Sequence, residues 1–423
     1  MRKTFPLTGW DSLQLLTKRF SDQQVRAVVE FEGRLDETRL AEAIRSAVLA
    51  EPILARRVSR RFFHPRWTPV SGFDAGALLR IFVESDPEAA VRRLIAEDLD
   101  PWQGPIVRFG LVRSERDTLV VNLDHTAGDA ASVRSLTQFV AKLYSHPERT
   151  SGPDAASYFG KRSFQDLLRL APPGPKAAKP APPPADSPPN WRFPWQPRAA
   201  ESTKRIELRF LPPDRTDAVV AFAAKKSAWL NDIFLAAYFR ALARLVGKAP
   251  GVPALTIPVD LRKYLPVRER PRIANFSATF VMTLRHGLGG SLDETLGLVR
   301  AAMAAEKQGL PGLDQASALS TLAGRVPYRI IESRMAKGRA PISLPPPWFI
   351  ALGVLRPESF AFGPVPAANA YVLPSVGSAG GVFQLSASCF AQRTTLAVCF
   401  SGDEANDQVV RRFLDLYKAE LPK

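Results

Sequence analysis

One histidine in this sequence stands where its side chain could take part in proton transfer. His125 follows the apolar run from Leu119 to Leu123, and Asp129 comes four positions later, where a helical pattern begins. Imidazole titrates near neutral pH, so it can accept a proton from an alcohol or amine that attacks a carbonyl carbon. The helix start would disfavour the charged imidazolium and keep such a base neutral. The pattern predicts that His125 is a general base. Spacing alone is also compatible with a structural role for His125, as a polar residue at the end of a strand.

Local patterns predict the elements that hold this histidine. Residues 118–123 are typical of a buried strand because they are apolar and β-branched. A helix with one buried face follows, marked at helical spacing by Val133, Leu136, Val140 and Leu143. Asp129 is placed to cap that helix, since aspartate accepts hydrogen bonds from the free N–H groups of a first turn, and it could equally pair with a cation. A strand end that feeds a helix start can hold side chains rigidly above a sheet.

A proline-rich segment divides the chain. Residues 171–197 contain eleven prolines, and proline fixes φ and removes a hydrogen-bond donor, so neither a helix nor an interior strand is expected there. We predict an N-terminal subdomain over 1–170, a crossover linker over 171–200 and a C-terminal subdomain over 201–423. Strands and helices alternate on both sides of the linker. The aromatic end of the linker, Trp191 to Trp195, is expected to dock on a domain surface.

Composition limits the class of protein. A chain of 423 residues is too long for one ordinary hydrophobic core, and 46% hydrophobic with 23% charged residues is a globular composition. No run of about 18 apolar residues predicts a membrane-spanning helix, and no apolar core of a secretory signal follows the first residues. These features predict a cytoplasmic protein without a transmembrane segment, and peripheral contact with a membrane stays open.

The charge and the metal-binding residue types narrow the partners. A net charge of +16 favours anionic partners, but the sequence shows no nucleic-acid-binding motif, so nucleic acid is not expected. The phosphates of coenzyme A or an acidic carrier protein are the alternatives. Cys389 and Cys399 are interpreted as reduced core thiols, and the cysteines and histidines show no metal-ligand spacing, so no metal is expected.

The segment His125-Thr-Ala-Gly-Asp129-Ala130 resembles the His-x-x-x-Asp-Gly signature of the chloramphenicol acetyltransferase-like, condensation-domain-like acyltransferase superfamily. The sequence looks like a polyketide-associated or alcohol acyltransferase-like member. Further segments of similar type and spacing are spread along the chain: residues 35–44, 52–58, 104–108, 231–237, 258–262 and 275–277.

This resemblance implies a fold, a reaction and a set of site residues. The fold is α/β (α+β), with two similar mixed-sheet subdomains in a V around a central tunnel. His125 would take a proton from an alcohol or amine acceptor, which attacks an acyl thioester without a covalent acyl-enzyme. Asp129 would be structural and pair bidentately with Arg262, while Gly128 and Asn275 would lie at the site. The co-substrate would be a coenzyme A thioester or a phosphopantetheinyl carrier, with no permanently bound cofactor.

The sequence departs from the family pattern at several positions. Asp124 stands where peptide-forming condensation domains carry a first histidine, which favours ester or simple amide formation. Its carboxylate could raise the pKa of His125 if the two side chains approach. Ala130 replaces the signature glycine, and Ile350 to Gly353 lacks the polar Ser-Asn pair found in many members. Ser386, Ser388 or a backbone N–H are therefore the candidates for an oxyanion donor, and ordinary strand hydroxyls are the simpler interpretation of the two serines.

These inferences leave three functions to distinguish. The first is an acyltransferase of secondary or lipid metabolism that works as a monomer on a small-molecule acceptor. The second is a stand-alone condensation protein that works between carrier proteins. The third is a catalytically inactive binding homologue, which the losses at Ala130 and at residues 350–353 would accommodate.

Overall fold

The computed structural model describes residues 4–61, 63–150, 162–170, 191–196, 202–247, 251–337, 345–377 and 381–423. The α-helices in these ranges are α1 (Gly9–Thr17), α2 (Glu37–Ala50), α3 (Pro87–Ala96), α4 (Ala130–Ser145), α5 (Phe164–Leu170), α6 (Pro213–Lys225), α7 (Leu230–Val246), α8 (Leu292–Glu306), α9 (Leu313–Arg325), α10 (Tyr328–Ala336) and α11 (Glu404–Glu420). The strands are β1 (Phe5–Pro6), β2 (Gln24–Phe31), β3 (Arg56–Ser59), β4 (Arg66–Pro69), β5 (Leu79–Val83), β6 (Val107–Arg113), β7 (Thr118–Asp124), β8 (Thr203–Leu211), β9 (Ala254–Asp260), β10 (Ser277–Thr283), β11 (Trp348–Leu355), β12 (Ala367–Leu373), β13 (Gln384–Phe390) and β14 (Arg393–Gly402).

A mixed five-stranded sheet with the order β12-β2-β7-β6-β5 carries the histidine. Its central strands β2 and β7 are buried on both faces, because helices cover both sides. Val29 and Val121 pack into one core with α2 and α4, whereas Val28 and Val120 pack into another with α3. Successive side chains of a strand point to opposite faces, which explains this division. His125 is the first residue after β7 and therefore stands at the sheet edge, between the sheet and α4.

A mixed six-stranded sheet with the order β10-β9-β11-β13-β14-β8 forms the second half. The helices α6, α7, α8 and α11 contribute apolar side chains to its core. Aromatic rings are concentrated there, and the centroids of Tyr238 and Phe413 lie 5.1 Å apart. A third, small sheet has the order β1-β4-β3 and belongs to the first half.

One strand of the second half in sequence joins the sheet of the first half. β12 belongs to the second half in sequence, but it pairs antiparallel with β2, and Ala370 lies opposite Val29. The sheet that carries His125 is therefore completed by residues from beyond the linker. The subdomain boundaries at 170 and 201 remain a prediction. The sheets show, however, that the sheet of the first half includes one strand from beyond the linker.

Most of the predicted linker, 171–190 and 197–200, lies outside the described residues. The described part, residues 191–196, buries Trp191 and Phe193 in the core of the second half. The ring of Phe193 stacks on Phe383 with centroids 3.8 Å apart, and Trp195 Nε1 donates to the carbonyl of Gly381 at 2.8 Å. The aromatic end of the linker is therefore part of this core, whereas the sequence predicted that it docks on a domain surface.

Several local predictions differ from the structure in ways that have physical reasons. The helical pattern near 315–335 predicts a single helix, but the structure has two, α9 and α10, because Pro327 interrupts the pattern. The sequence patterns do not predict the helices α1 and α5 or the strands β1, β4 and β12. Cys389 and Cys399 are free and buried, as interpreted from sequence, and burial raises the pKa of the Cys399 thiol to about 12.

Two expected absences concern membranes and metals. Across the described ranges, no helix combines the length and the apolar character needed to cross a bilayer. The same ranges bring together no group of three or more histidine, cysteine, aspartate or glutamate side chains suited to a metal ion.

Candidate active site

His125 is held through its backbone, while its ring makes no hydrogen bond to the residues that the structure describes. Its N–H donates to the carbonyl of Gln23 at 2.8 Å, and its carbonyl accepts from Asn275 Nδ2 at 2.9 Å. The residue is partly exposed, while ring atom Nδ1 is buried and has no hydrogen-bond partner among the described residues. A buried polar atom without a partner is rare in folded proteins. The turn is therefore fixed in place while the imidazole keeps its hydrogen-bonding capacity.

The carboxylate of Asp129 is fully engaged away from the imidazole. It caps α4, because Oδ1 accepts from the N–H and the hydroxyl of Ser132, both at 3.0 Å. Oδ2 accepts from the N–H of Phe276 at 2.9 Å and from the hydroxyl of Ser277 at 3.0 Å. It also accepts from Arg262 NH1 at 3.0 Å. Burial raises the pKa of the Asp129 carboxyl, but Arg262 and the hydrogen bonds outweigh burial and lower it to about 2.

Arg262 joins the second half of the chain to the turn after His125. NH1 reaches Asp129 and also Asp260, at 2.9 Å, while NH2 donates to the Ser132 hydroxyl at 2.9 Å and to the carbonyl of Ala274. The expected bidentate pair is wrong in detail, because only NH1 contacts Asp129 and NH2 is occupied by its other two partners. Burial lowers the pKa of this guanidinium, but Asp129 and Asp260 reverse that effect and raise it above its usual value.

Gly128 is required by the close packing of the turn against α4. A Cβ at this position would lie 2.7 Å from Ser132 Cβ and 2.8 Å from its hydroxyl oxygen. Ser132 forms hydrogen bonds with both Asp129 and Arg262. A side chain at position 128 would therefore push Ser132 away from these two partners. Ala130, where the family has glycine, is the first residue of α4 and is partly exposed, so its methyl group is accommodated.

Asn275 lies behind the turn rather than beside the ring. Its Nδ2 donates to the carbonyls of His125 and Thr126, at 2.9 and 3.1 Å, and the side chain is buried. The amide thus ties the β9–β10 connection to the two residues that follow β7. As a site residue it acts on the backbone that presents the imidazole.

Asp124 has a different partner from the one considered from sequence. Its Oδ2 accepts from Lys18 Nζ at 2.7 Å, and its Oδ1 accepts from the N–H of Thr126 at 2.9 Å. The carboxylate is fully buried, and Lys18 neutralises its charge. The hypothesis that the Asp124 carboxylate approaches the imidazole is therefore not supported, since both of its oxygens are engaged elsewhere.

The oxyanion candidates on β13 are engaged with neighbouring backbone. The Ser386 hydroxyl donates to the carbonyl of Val372 at 2.9 Å, and the Ser388 hydroxyl accepts from the N–H of Val372 at 3.3 Å. Both serines are buried and fasten β13 to β12. This geometry favours the structural interpretation of the two hydroxyls over a part in oxyanion binding.

The strand that lacks the family's Ser-Asn pair lies beside the helix that follows His125. β11 changes register against β13 between Ala351 and Val354, and Gly353 has a φ of +68°. The carbonyl of Leu352 accepts from Arg134 of α4 at 3.4 Å. Only backbone groups of this bulge, and no polar side chains of residues 350–353, are available there.

Sequence reasoning missed Asp11, Arg162, Lys18 and Ser132. Asp11 and Ser132 each stand three positions after a helix-capping residue, Thr8 and Asp129, and both pairs form capping boxes. That spacing is a readable signal of a helix start, although not of contact with His125. Lys18 and Arg162 carry no local signal, because their partners lie far away in sequence.

A cavity of about 690 Å³ lies elsewhere, between α3 and β8, with Val91, Arg92, Ile206 and Tyr371 among the residues that line it. His125 is not among these residues. The tunnel through the molecule stays a prediction.

Comparison with known sequences finds distant relatives. No family model matches the chain. The uncharacterized protein Rv2305 of Mycobacterium tuberculosis is 25% identical over 323 residues, which cover 71% of this chain and 70% of that protein. Gramicidin S synthase 2 of Brevibacillus brevis is 28% identical over 127 residues, which are 29% of this chain and 3% of that protein.

Comparison with solved structures finds whole-chain similarity of fold. The first condensation domain of the CDA synthetase superposes with a TM-score of 0.64 at 16% identity, covering 100% of this chain and 98% of that one. Polyketide synthase associated protein 5 from Mycobacterium tuberculosis gives 0.63 at 14% identity, with coverages of 99% and 98%. The trichothecene 15-O-acetyltransferase TRI3 from Fusarium sporotrichioides gives 0.68 at 11% identity, with coverages of 99% and 96%.

The fold is therefore that of the chloramphenicol acetyltransferase-like, condensation-domain-like superfamily. The sequence prediction of two mixed α/β halves of this type is confirmed. Solved structures with this fold include condensation domains of peptide synthetases and an acetyltransferase. Identities of 11–16% establish the fold and leave substrates and mechanism to be proposed.

Proposed function

We propose that this protein transfers an acyl group from a thioester to an alcohol or amine, with His125 as the general base. The observation that carries the proposal is the imidazole itself. It is partly exposed, its ring makes no hydrogen bond within the described residues, and its turn is fastened from Gln23 and Asn275. A rigid support under an uncommitted ring is what general-base catalysis needs.

In the proposed reaction His125 accepts the proton of the acceptor's O–H or N–H group. The freed electron pair attacks the thioester carbonyl carbon, and a tetrahedral intermediate forms. When this intermediate collapses, the C–S bond breaks, and the leaving thiolate takes the proton from the imidazolium. The product is an ester or amide with a free thiol, and no acyl group is attached to the protein.

Asp129 has no part in the proton transfer in this proposal. Both of its oxygens are engaged with α4, the β10 start and Arg262, and its low pKa keeps it ionised. Its role is to hold the backbone that follows His125. The mechanism therefore uses one titrating group, in contrast to a histidine oriented by a carboxylate partner.

The acyl donor is proposed to be a coenzyme A thioester or an acyl group on a phosphopantetheinyl carrier protein. Both are anionic, and the net charge of +16 favours them. A stand-alone condensation protein between two carrier proteins is the second candidate, since the solved structures of this fold include condensation domains. The acceptor is a small molecule in the first case and a carrier-bound nucleophile in the second.

A thiol-release screen tests the proposal. Acyl-CoAs of graded chain length and acyl-carrier donors are each offered with a panel of small alcohols and amines, and free thiol is measured. We expect His125→Ala to lower kcat/KM by about 10²–10⁴-fold with an unchanged thermal midpoint. The matched control is His286→Ala, an exposed histidine, which should behave as wild type.

The outcomes separate the candidates. Turnover with acyl-CoA and a small acceptor supports the acyltransferase, and turnover only between carrier-bound partners supports the condensation protein. If wild type and His125→Ala release thiol equally slowly from every donor, the protein is a binding homologue and the proposed function is wrong.

A further inference from the structure

We infer that Asp11 is a positioning residue for His125, and that it acts by orienting the two side chains that hold the carbonyls of the His125 turn. The inference rests on the proposed function for its catalytic meaning. The structural part stands separately, because it concerns where the turn is held.

Asp11 is completely buried at the third position of α1, in its first turn, and faces two donors from other parts of the chain. Its Oδ1 accepts from Asn275 Nδ2 at 3.1 Å and from Arg162 NH2 at 3.3 Å. Asn275 lies 264 residues away and Arg162 lies 151 residues away in sequence. One carboxylate thus gathers two donors that local sequence does not bring together.

The same two donors bind three consecutive backbone carbonyls after β7. Asn275 Nδ2 donates to the carbonyls of His125 and Thr126, at 2.9 and 3.1 Å. Arg162 NH2 donates to the carbonyl of Ala127 at 2.8 Å. Every carbonyl from 125 to 127 therefore accepts from a side chain that is itself bonded to Asp11.

Together with the carbonyls of His125 and Thr126, Asp11 sets which way the Asn275 amide points, because all three accept from the same Nδ2. Its carboxylate can only accept while ionised, so it requires the Nδ2 side of the amide. The opposite atom, Asn275 Oδ1, is buried and has no hydrogen-bond partner among the described residues, so none of these residues holds the amide from that side. A rotated amide would place Oδ1 against the carbonyls of His125 and Thr126, and acceptor facing acceptor would release the turn.

Asp11 also keeps Arg162 in place by charge. Arg162 is buried, and NH1 donates to the carbonyl of Ile273 at 2.6 Å. A buried guanidinium needs a counter-charge, and Asp11 pairs with it. Two buried ion pairs therefore flank the histidine turn: Asp129 with Arg262 holds its helix side, and Asp11 with Arg162 holds its carbonyl side.

The support under Asp11 is rigid. The helix α1 is pressed against α9 so closely that a Cβ on Gly9 would lie 1.8 Å from the carbonyl oxygen of Ser320. Asp11 is two residues further along this helix. Its carboxylate therefore takes its position from a helix contact that leaves no room for adjustment.

The simpler role for Asp11 is to cap α1. Its Oδ2 accepts from the N–H of Thr8 at 3.3 Å, and its own N–H donates to the Thr8 hydroxyl at 3.0 Å. Thr8→Ala removes the side-chain half of this capping box and leaves the contacts to Asn275 and Arg162 intact. This variant is therefore the matched control for Asp11→Asn, which removes the charge and introduces a donor among donors.

The test compares wild type, Thr8→Ala and Asp11→Asn by two measurements. The first is the imidazole signal of His125 in an NMR spectrum of histidine-labelled protein, assigned by its loss in His125→Ala. The second is steady-state kinetics with the donor and acceptor found in the thiol-release screen. Arg162→Lys is a further variant, because lysine keeps the charge but cannot reach both backbone carbonyls that Arg162 binds.

We expect Asp11→Asn and Arg162→Lys to shift or broaden the His125 signal, and Thr8→Ala to leave it unchanged. We expect Asp11→Asn to lower kcat by about 10–100-fold with little change in KM, as for a displaced catalytic group. If Asp11→Asn does not fold, the Arg162→Lys spectrum decides the inference.

An unshifted His125 signal in Asp11→Asn, or equal shifts in Asp11→Asn and Thr8→Ala, would overturn the positioning role. The NMR comparison needs no turnover. A wild-type protein that transfers no acyl group would therefore end the proposed function, while the spectra would still decide whether Asp11 holds the turn.

Discussion

Asn275 donates its side-chain amide to the backbone carbonyl of His125 across 150 residues of sequence, at 2.9 Å. The bond crosses from the connection between β9 and β10 in the second half to the end of β7 in the first half. The candidate base is therefore positioned by both halves of the chain.

Asn275→Asp tests this bond with a side chain of the same shape. A carboxylate there would face the carbonyls of His125 and Thr126 together with the carboxylate of Asp11. We expect the free energy of unfolding at pH 7 to fall by about 3 kcal/mol, since a buried charge would stand among acceptors. Urea denaturation measures the change.

Asn275→Ala is the companion variant, because it removes the donor without adding a charge. It should lower the free energy of unfolding by about 1–2 kcal/mol, less than the Asp variant. Equal effects in the two variants would contradict the predicted clash between acceptors.

The second prediction concerns acid stability. The pKa of Asp129 is about 2 in the folded protein, below the ordinary value of 3.8. A depressed folded-state pKa stabilises the protein above the unfolded value, and this contribution is lost as the pH falls from about 4 through about 2. From that difference we expect the loss to be about 2 kcal/mol. Asp129→Asn should therefore show a smaller fall in unfolding free energy across this window.

The control for the acid experiment is Asp36→Asn. Asp36 caps α2 in the same way, by accepting from the N–H of Arg39 at 2.8 Å, but it is exposed. This variant keeps Asp129, so its unfolding free energy should fall as steeply with decreasing pH as that of the wild type. If the unfolding free energy of Asp129→Asn falls with decreasing pH as steeply as that of the wild type, the buried ion pair does not govern acid stability.

The third prediction concerns glycine at position 128. Gly128→Ala would place a methyl group 2.7 Å from Ser132 Cβ, and we expect a loss of about 1–3 kcal/mol in unfolding free energy because the core is overpacked. Gly297 in α8 provides the control, since its Cβ would meet nothing within 4 Å. Gly297→Ala should stabilise the protein by up to about 1 kcal/mol, as alanine does within a helix. Thermal midpoints of the two variants that move in the same direction would refute the prediction.

The fourth prediction concerns Lys18. It donates to Asp124 at 2.7 Å and to the carbonyls of Asp22 and Leu99, so Lys18→Met would leave Asp124 as an unpaired buried carboxylate. We expect the unfolding free energy of Lys18→Met to fall by about 3–5 kcal/mol, as found when one partner of a buried ion pair is removed. The double variant Lys18→Met with Asp124→Asn should recover part of this loss in chemical denaturation. A double variant no more stable than Lys18→Met alone would show that the ion pair is not the cause.

Local patterns in the sequence determined the unit that presents the histidine. A continuous apolar, β-branched run predicted β7, the apolar spacing after Asp129 predicted α4, and the cap between them follows from one aspartate and an N–H three residues later. These interactions span a few residues, so the chain adopts them with little help from the rest of the fold.

The tertiary structure alone decided what surrounds that unit. β12 is alanine-rich and has no strong strand pattern, and it became a strand because β2 offered an unpaired edge. Lys18 rather than His125 became the partner of Asp124, and Asp11, Arg162 and Asn275 met behind the turn. Such contacts join residues more than 100 positions apart, so their formation depends on how whole helices and sheets pack, which no local spacing records.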